Sequence, residues 1–303
     1  MTAPAPTPAP GGFDESELRH IVKHTCEIAD LDGSNARLLR GHTNAVILLP
    51  EAAAVVKVAR RGTPASNVHR TTRFVRWLMD RGFPTAPLHP GPDQPLLVDG
   101  HAVTIWAYLP QPDHPVSAAQ IAKPLFQLHN LPTPPVPLPE HDNIRAIRKS
   151  IAAITAFPSA TLRFLTERVD RLEAELSAAH FVLPAGPLQG DPQHRNALHH
   201  GDEAVLCDWD TVAYGHPEWD LVTIEVHCRR FGYGLEHYED FATAYGYDVT
   251  TLADYPTLRD LRELRMVTTN ARKVHHAPES IDEVLRRVCG FENEDLGMRW
   301  RIL

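Results

Sequence analysis

Apolar positions change their period several times along the chain. Over Phe13 to Asp30, Leu18, Ile21, Val22 and Ile28 recur at helical spacing behind Asp14-Glu15, which predicts a packing helix with acids at its N-terminal end. Three short apolar runs follow, Ala36–Arg40, Asn44–Leu49 and Ala53–Ala59. They read as strands broken by Gly41-His42-Thr43 and Pro50-Glu51. Helical spacing returns over Ser66 to Arg81, with Phe74, Trp77 and Leu78 on one face. Leu96–Val98 and Ala102–Trp106 flank Asp99-Gly100, a strong hairpin signal. Beyond Pro110 the pattern is mostly helical: Ser117–His129, Arg145–Phe157 and Thr161–His180, then Asp220–Arg230, Glu236–Tyr245, Leu258–Val274 and Ser280–Val288. The proline-rich Pro132–Pro139 is expected to be irregular.

Composition narrows the class. At 303 residues, with 43% hydrophobic and 22% charged residues, the chain can fold as one two-lobed domain or two modest ones. A formal net charge of -8 and a pI near 6.1 argue against a general nucleic-acid binder, so nucleic acid is not expected as a partner. The five lysines against twenty-five arginines look like a high-GC genome and mark no site. No run of about eighteen apolar residues occurs, so no membrane span is expected. Met1 to Gly12 has no basic or apolar leader region and reads as a disordered Pro/Ala-rich tail. Cys26, Cys207, Cys228 and Cys289 stand far apart with no Cys-x-x-Cys pair, which suits the reducing cytosol.

Candidate chemistry concentrates in Leu188-Gln189-Gly190-Asp191-Pro192-Gln193-His194-Arg195-Asn196 and, after the turn residues His200–Glu203, in Cys207-Asp208-Trp209-Asp210. A hairpin centred on Asp202 would set Asn196 opposite Asp208, an amide and a carboxylate suited to Mg²⁺. Asp191 lies one loop away, where it can meet a substrate hydroxyl. Lys57 interrupts the apolar strand Ala53–Val58, and a lysine there needs an anionic partner or an edge position. His194, His199 and His200 invite a zinc reading. However, His199 and His200 are adjacent on a strand and point to opposite faces, and no His-Glu-x-x-His occurs.

Gln189-Gly190-Asp191-x-x-x-x-Asn196, then Cys207-Asp208-Trp209, then Gly215-His216-Pro217-Glu218-Trp219-Asp220-Leu221 resemble, in order and spacing, the motifs of the aminoglycoside phosphotransferase and choline kinase superfamily. The resemblance implies a two-lobed, protein-kinase-like α+β fold, with a small antiparallel-sheet N-lobe over 13–109 and a larger helical C-lobe over 110–303. It implies a kinase that moves the γ-phosphoryl group of ATP or GTP to a hydroxyl of an aminoglycoside-like antibiotic or other small metabolite. Asp191 would be the catalytic base, and Asn196 and Asp208 would hold Mg²⁺. Lys57, Gly41 and Thr43 would contact phosphates, Ala107 and Leu109 would sit at the purine hinge, and Asp220 would brace the catalytic loop.

The chain departs from that pattern in three places. Gln189 replaces a His, only Gly41 stands in the nucleotide-covering loop, and Thr71 stands where a helix Glu would pair with Lys57. The missing Glu keeps a non-catalytic, nucleotide-binding module open as the alternative. No Ala-Pro-Glu follows Asp208-Trp209, which speaks against a kinase of proteins. Acids at Glu225, Glu236, Glu239, Asp240 and Asp248 could bind a cationic sugar or simply be solvated. A cytoplasmic monomer or homodimer is expected.

Overall fold

The structure, a computed structural model, describes residues 8–9, 13–41, 44–275 and 277–303. The chain divides into two compact units. One holds the residues up to His114 with Pro134–Pro137 and Leu198–Asp210; the other holds Pro115–Thr133, Leu138–Ala197 and Thr211–Leu303.

The first unit is built on a five-stranded antiparallel sheet. Its order is Arg37–Arg40, Ala45–Leu49, Ala54–Val58, His101–Ala107, Leu96–Val98. Helix Glu15–Ala29 is capped by Asp14, whose carboxylate accepts the Glu17 N–H at 2.9 Å. Its Leu18, Ile21 and Val22 join Ile47, Leu49, Val56 and Val103 in one core. Ile28, in phase with them, is 54% exposed in the last turn, contrary to the expected stripe. Asp99 and Gly100 form the two-residue hairpin turn, both with positive φ (50° and 80°), the conformation that the favoured tight hairpin turn demands.

Ala54–Val58 is a central strand, paired on both sides, so Lys57 does not lie at an edge. Period-two alternation buries Ala54, Val56 and Val58 and turns Val55 and Lys57 to the other face. Helix Ala65–Met79 adds Phe74, Val75 and Leu78 to the interior.

In the second unit, helix Tyr255–Ala271 packs against Asn143–Ala152, Ser159–Ser177, Glu218–Arg230 and Ile281–Glu292. Helix Ala118–His129 packs on Leu235–Tyr245. Every residue of Glu218–Arg230 except Arg229 is buried, so its polar side chains must find partners inside. Several do: Glu218 accepts the N–H groups of Val182 and Leu183 through Oε1, and Arg230 pairs with Glu263 at 2.7 Å, while His227 Nε2 is buried without a hydrogen-bond partner. The helix expected over Arg145–Phe157 instead runs Asn143–Ala152, opened by an Asp142 cap. Among the described residues, no helix is long and apolar enough to cross a membrane.

Candidate active site

In the first unit Lys57 is the centre of a charge cluster. Its Nζ lies 2.7 Å from Asp208 Oδ1 and 2.8 Å from Asp210 Oδ2. Arg40 approaches Asp208 at 3.8 Å, and Asn44 donates to Asp210 at 2.6 Å. Burial works against the ammonium, but the two carboxylates outweigh it and hold Lys57 above its ordinary range. The acids that pair with Lys57 are therefore Asp208 and Asp210, past the end of strand Glu203–Leu206, and not on the helix. Thr71 is buried and returns its hydroxyl to Asn67 O at 3.2 Å.

A single aromatic side chain sets the two acids in place. Trp209, between them, is fully buried against Phe74 and Phe83, and its indole N–H donates to Thr85 Oγ1 at 2.9 Å. Leu206 is tied through its N–H to Pro84 O (3.0 Å) and through its C=O to Ala86 N (2.8 Å). With the chain fixed on both sides, Asp208 adopts the left-handed region at φ 56°, rare for a non-glycine residue. Its side chain is 28% exposed and that of Asp210 45%, so both face solvent in part. Burial first and Asp208 second push the Cys207 thiol up to about 12, which leaves it an inert neighbour.

Gly41 is buried after the edge strand, and Thr43 lies outside the described residues. At the end of His101–Ala107, the Ala107 N–H is taken by Pro87 O and that of Tyr108 by Ala53 O. Leu109 O accepts from Gln111 at 2.9 Å, and the same amide bonds the N–H and C=O of His199.

In the second unit Asp191, Asn196 and Asp220 meet at one loop. Asp220, fully buried at the start of its helix, accepts the N–H of Gln189 at 2.8 Å and of Gly190 at 2.9 Å. It also faces His129 Nε2 at 3.1 Å. Gly190 has φ 82°, and a Cβ there would meet Thr211 O at 2.2 Å, so only glycine fits. Gln189, in the position of the family's His, accepts the Asp191 N–H at 2.7 Å, and this places the backbone of the acid.

Asn196 closes a 3-10 turn, His194–Asn196, and the strand begins at Ala197, so Asn196 itself lies just outside the hairpin strand. Its Nδ2 donates to Asp191 O at 2.8 Å. The Asp191 carboxylate is held by the buried Arg262 and by Gln193 Nε2 at 3.1 Å.

Sequence reading missed Arg262 altogether. It sits on a helix seventy-one positions away and belongs to no motif that names it. Arg265, one turn on, donates to Asn143 at 2.6 Å; burial and the neighbouring Arg262 bring it down to about 10. Burial and Arg265 push His141 down to about 3, so it stays neutral at ordinary pH. Of the acids proposed for a cationic sugar, Glu225 is buried on Arg229 and Asp248 is bonded to Tyr238 and Thr250. Glu236, Glu239 and Asp240 are exposed.

A glycine-braced acid loop and a sheet lysine paired with acids define the class as α+β phosphotransferases of the kinase-like fold. The profile of the phosphotransferase enzyme family matches residues 32–261, and the chain belongs to that family. Among solved structures, an amicoumacin kinase in complex with AMP-PNP, Ca²⁺ and Ami is 14% identical, with a TM-score of 0.71 over 95% of this chain and 96% of that one. A microcompartment-associated aminopropanol kinase is 16% identical with a TM-score of 0.71, covering 92% and 98%. A choline kinase from Streptococcus pneumoniae is 14% identical with a TM-score of 0.65, covering 90% and 99%. No curated protein matches the sequence.

Proposed function

We propose that the protein transfers the γ-phosphoryl group of a nucleoside triphosphate to a hydroxyl of a small molecule. The observation that carries this reading is the Asp191 loop. There a carboxylate is oriented by Gln189, Gln193, Asn196 and Arg262 and suspended from the buried Asp220. Asp191 would accept the proton as the acceptor oxygen bonds to phosphorus and the bond to the β-phosphate oxygen breaks. Lys57 would steady the phosphates, as its strand position and carboxylate partners suit.

Asn196 and Asp208 offer oxygen donors only, which fits a hard divalent cation such as Mg²⁺. The Asn196 amide hydrogens are engaged on Asp191 O, so its Oδ1 is the ligand atom. When bound, that ion would neutralise charge on the phosphates. The binding of AMP-PNP and Ca²⁺ by the amicoumacin kinase supports nucleotide and divalent-ion use here.

Calorimetric titration of Mg·ATP and Mg·GTP into wild type and Asp208→Ala tests the reading. Magnesium-dependent binding to wild type that is lost in the variant supports it and opens a mass-spectrometric screen of hydroxyl acceptors. Failure of either nucleotide to bind folded wild type would favour a non-catalytic module.

A further inference from the structure

Outside the loop chemistry, the second unit brings together three side chains that the phosphotransfer reading does not use. His194, from the 3-10 turn between Asp191 and Asn196, meets Cys228 of helix Glu218–Arg230 and His237 of helix Leu235–Tyr245. Each offers a ligand atom, and these atoms lie within 4.8 Å of one another. His194 and Cys228 are buried and His237 is partly so.

The hydrogen bonding of this cluster does not close by itself. The two imidazole Nε2 atoms are 3.0 Å apart, and the His237 Nε2 also accepts the Ala118 N–H at 3.1 Å. If His194 carries its proton on Nε2, two donors claim the single lone pair of His237. Its own Nδ1 is then a buried acceptor with no hydrogen-bond partner. If the proton is on Nδ1, two lone pairs face each other at 3.0 Å, which is repulsive unless a cation lies between them.

The spacing suits such a cation. Two imidazoles on a tetrahedral ion, each at about 2.0–2.1 Å, have their nitrogens about 3.3 Å apart. Tyr233 stacks on His194 with centroids 4.1 Å apart and planes 8° from parallel, which fixes the ring. A thiolate with two imidazoles selects a borderline transition metal over Mg²⁺ or Ca²⁺.

We propose that His194, Cys228 and His237 form a binding site for a zinc-class divalent metal, the ion taking from the Ala118 N–H the lone pair of His237 Nε2, with a fourth position filled by water. The ion pins the loop between Asp191 and Asn196 to two helices of its own unit. The site is structural toward the loop, and its presence does not depend on the acceptor or on nucleotide.

The test is titration of Co²⁺ into tag-free, chelator-stripped full-length protein, followed by absorption. One equivalent should bind, with a sulfur-to-cobalt charge-transfer band and tetrahedral d–d bands that one equivalent of Zn²⁺ abolishes. Cys228→Ser and His237→Ala should each lower these bands more than tenfold, and Cys289→Ser, at an exposed thiol, should leave them unchanged. Absence of the charge-transfer band in folded wild type overturns the proposal. So does a band that survives Cys228→Ser or vanishes in Cys289→Ser. If Cys228→Ser does not fold, the wild-type and His237→Ala titrations decide the matter alone.

Discussion

Each unit pairs a carboxylate of the motif with a cation, but the two pairings are built differently. In the first, one lysine on a central strand is shared by Asp208 and Asp210, which remain partly open to solvent. In the second, one carboxylate is held by a buried arginine, with another arginine one helical turn away. The acid pair of the first unit shares one ammonium, with Arg40 near Asp208 and Asn44 on Asp210. The arginine-backed carboxylate is instead fixed in orientation, by Arg262 and Gln193. On the proposed reading, phosphates would meet the lysine of the first unit and the acceptor's proton the carboxylate of the second, and this division can be broken experimentally.

The largest effect should come from Asp191→Asn, which should slow transfer to an identified acceptor by about 10²–10⁴-fold, the usual worth of a general base. Nucleotide affinity measured by calorimetry should be unchanged; a parallel loss of affinity would erase the division of labour. Arg262→Ala should destabilise the protein by about 2 kcal/mol in urea unfolding, because the partly exposed Asp191 loses its buried guanidinium partner and keeps only Gln193 on its carboxylate. Lys57→Met should cost less, about 1 kcal/mol, since Asp208 keeps Arg40 and Asp210 keeps Asn44. Equal losses in the two variants would mean that these remaining partners do not distinguish the clusters.

The pH responses of the two units should differ as well. Lys57 is raised in the folded state, so its contribution is complete below the unfolded lysine value of about 10.5 and flat across ordinary pH. His141 is depressed to about 3 by burial, so below about 6.5 the unfolded chain takes a proton that the folded chain refuses. Stability should therefore fall with pH from about 6.5 toward 3, at up to ~1.4 kcal/mol per pH unit from this group. His141→Gln should flatten that slope in a series of urea melts. The smallest effect expected is Asn44→Ala, about 0.5–1 kcal/mol, from one exposed hydrogen bond to Asp210.

Much of this architecture was legible along the chain. The central strands, the Asp99-Gly100 turn and the order of Gly190, Asp191, Asn196 and Asp208 follow from period, turn chemistry and spacing. The partner of Lys57 did not. Spacing from the kinase pattern pointed to a helix position that holds Thr71, whereas the acids that pair with Lys57 lie 151 and 153 positions downstream. Nothing local encodes that choice; it follows from Trp209 burying itself and carrying its neighbours along.

The sequence by itself determined which residues alternate into a sheet, which wind into helices, and that Gly190 and Asp191 stand in a phosphotransferase motif, because these depend on nearest neighbours. Only the tertiary structure decided that Arg262 holds Asp191, that Asp208 and Asp210 share Lys57, and that His194 meets Cys228 and His237. Each of these contacts joins distant elements, and a buried charge or imidazole accepts whichever complementary group the packing brings within reach.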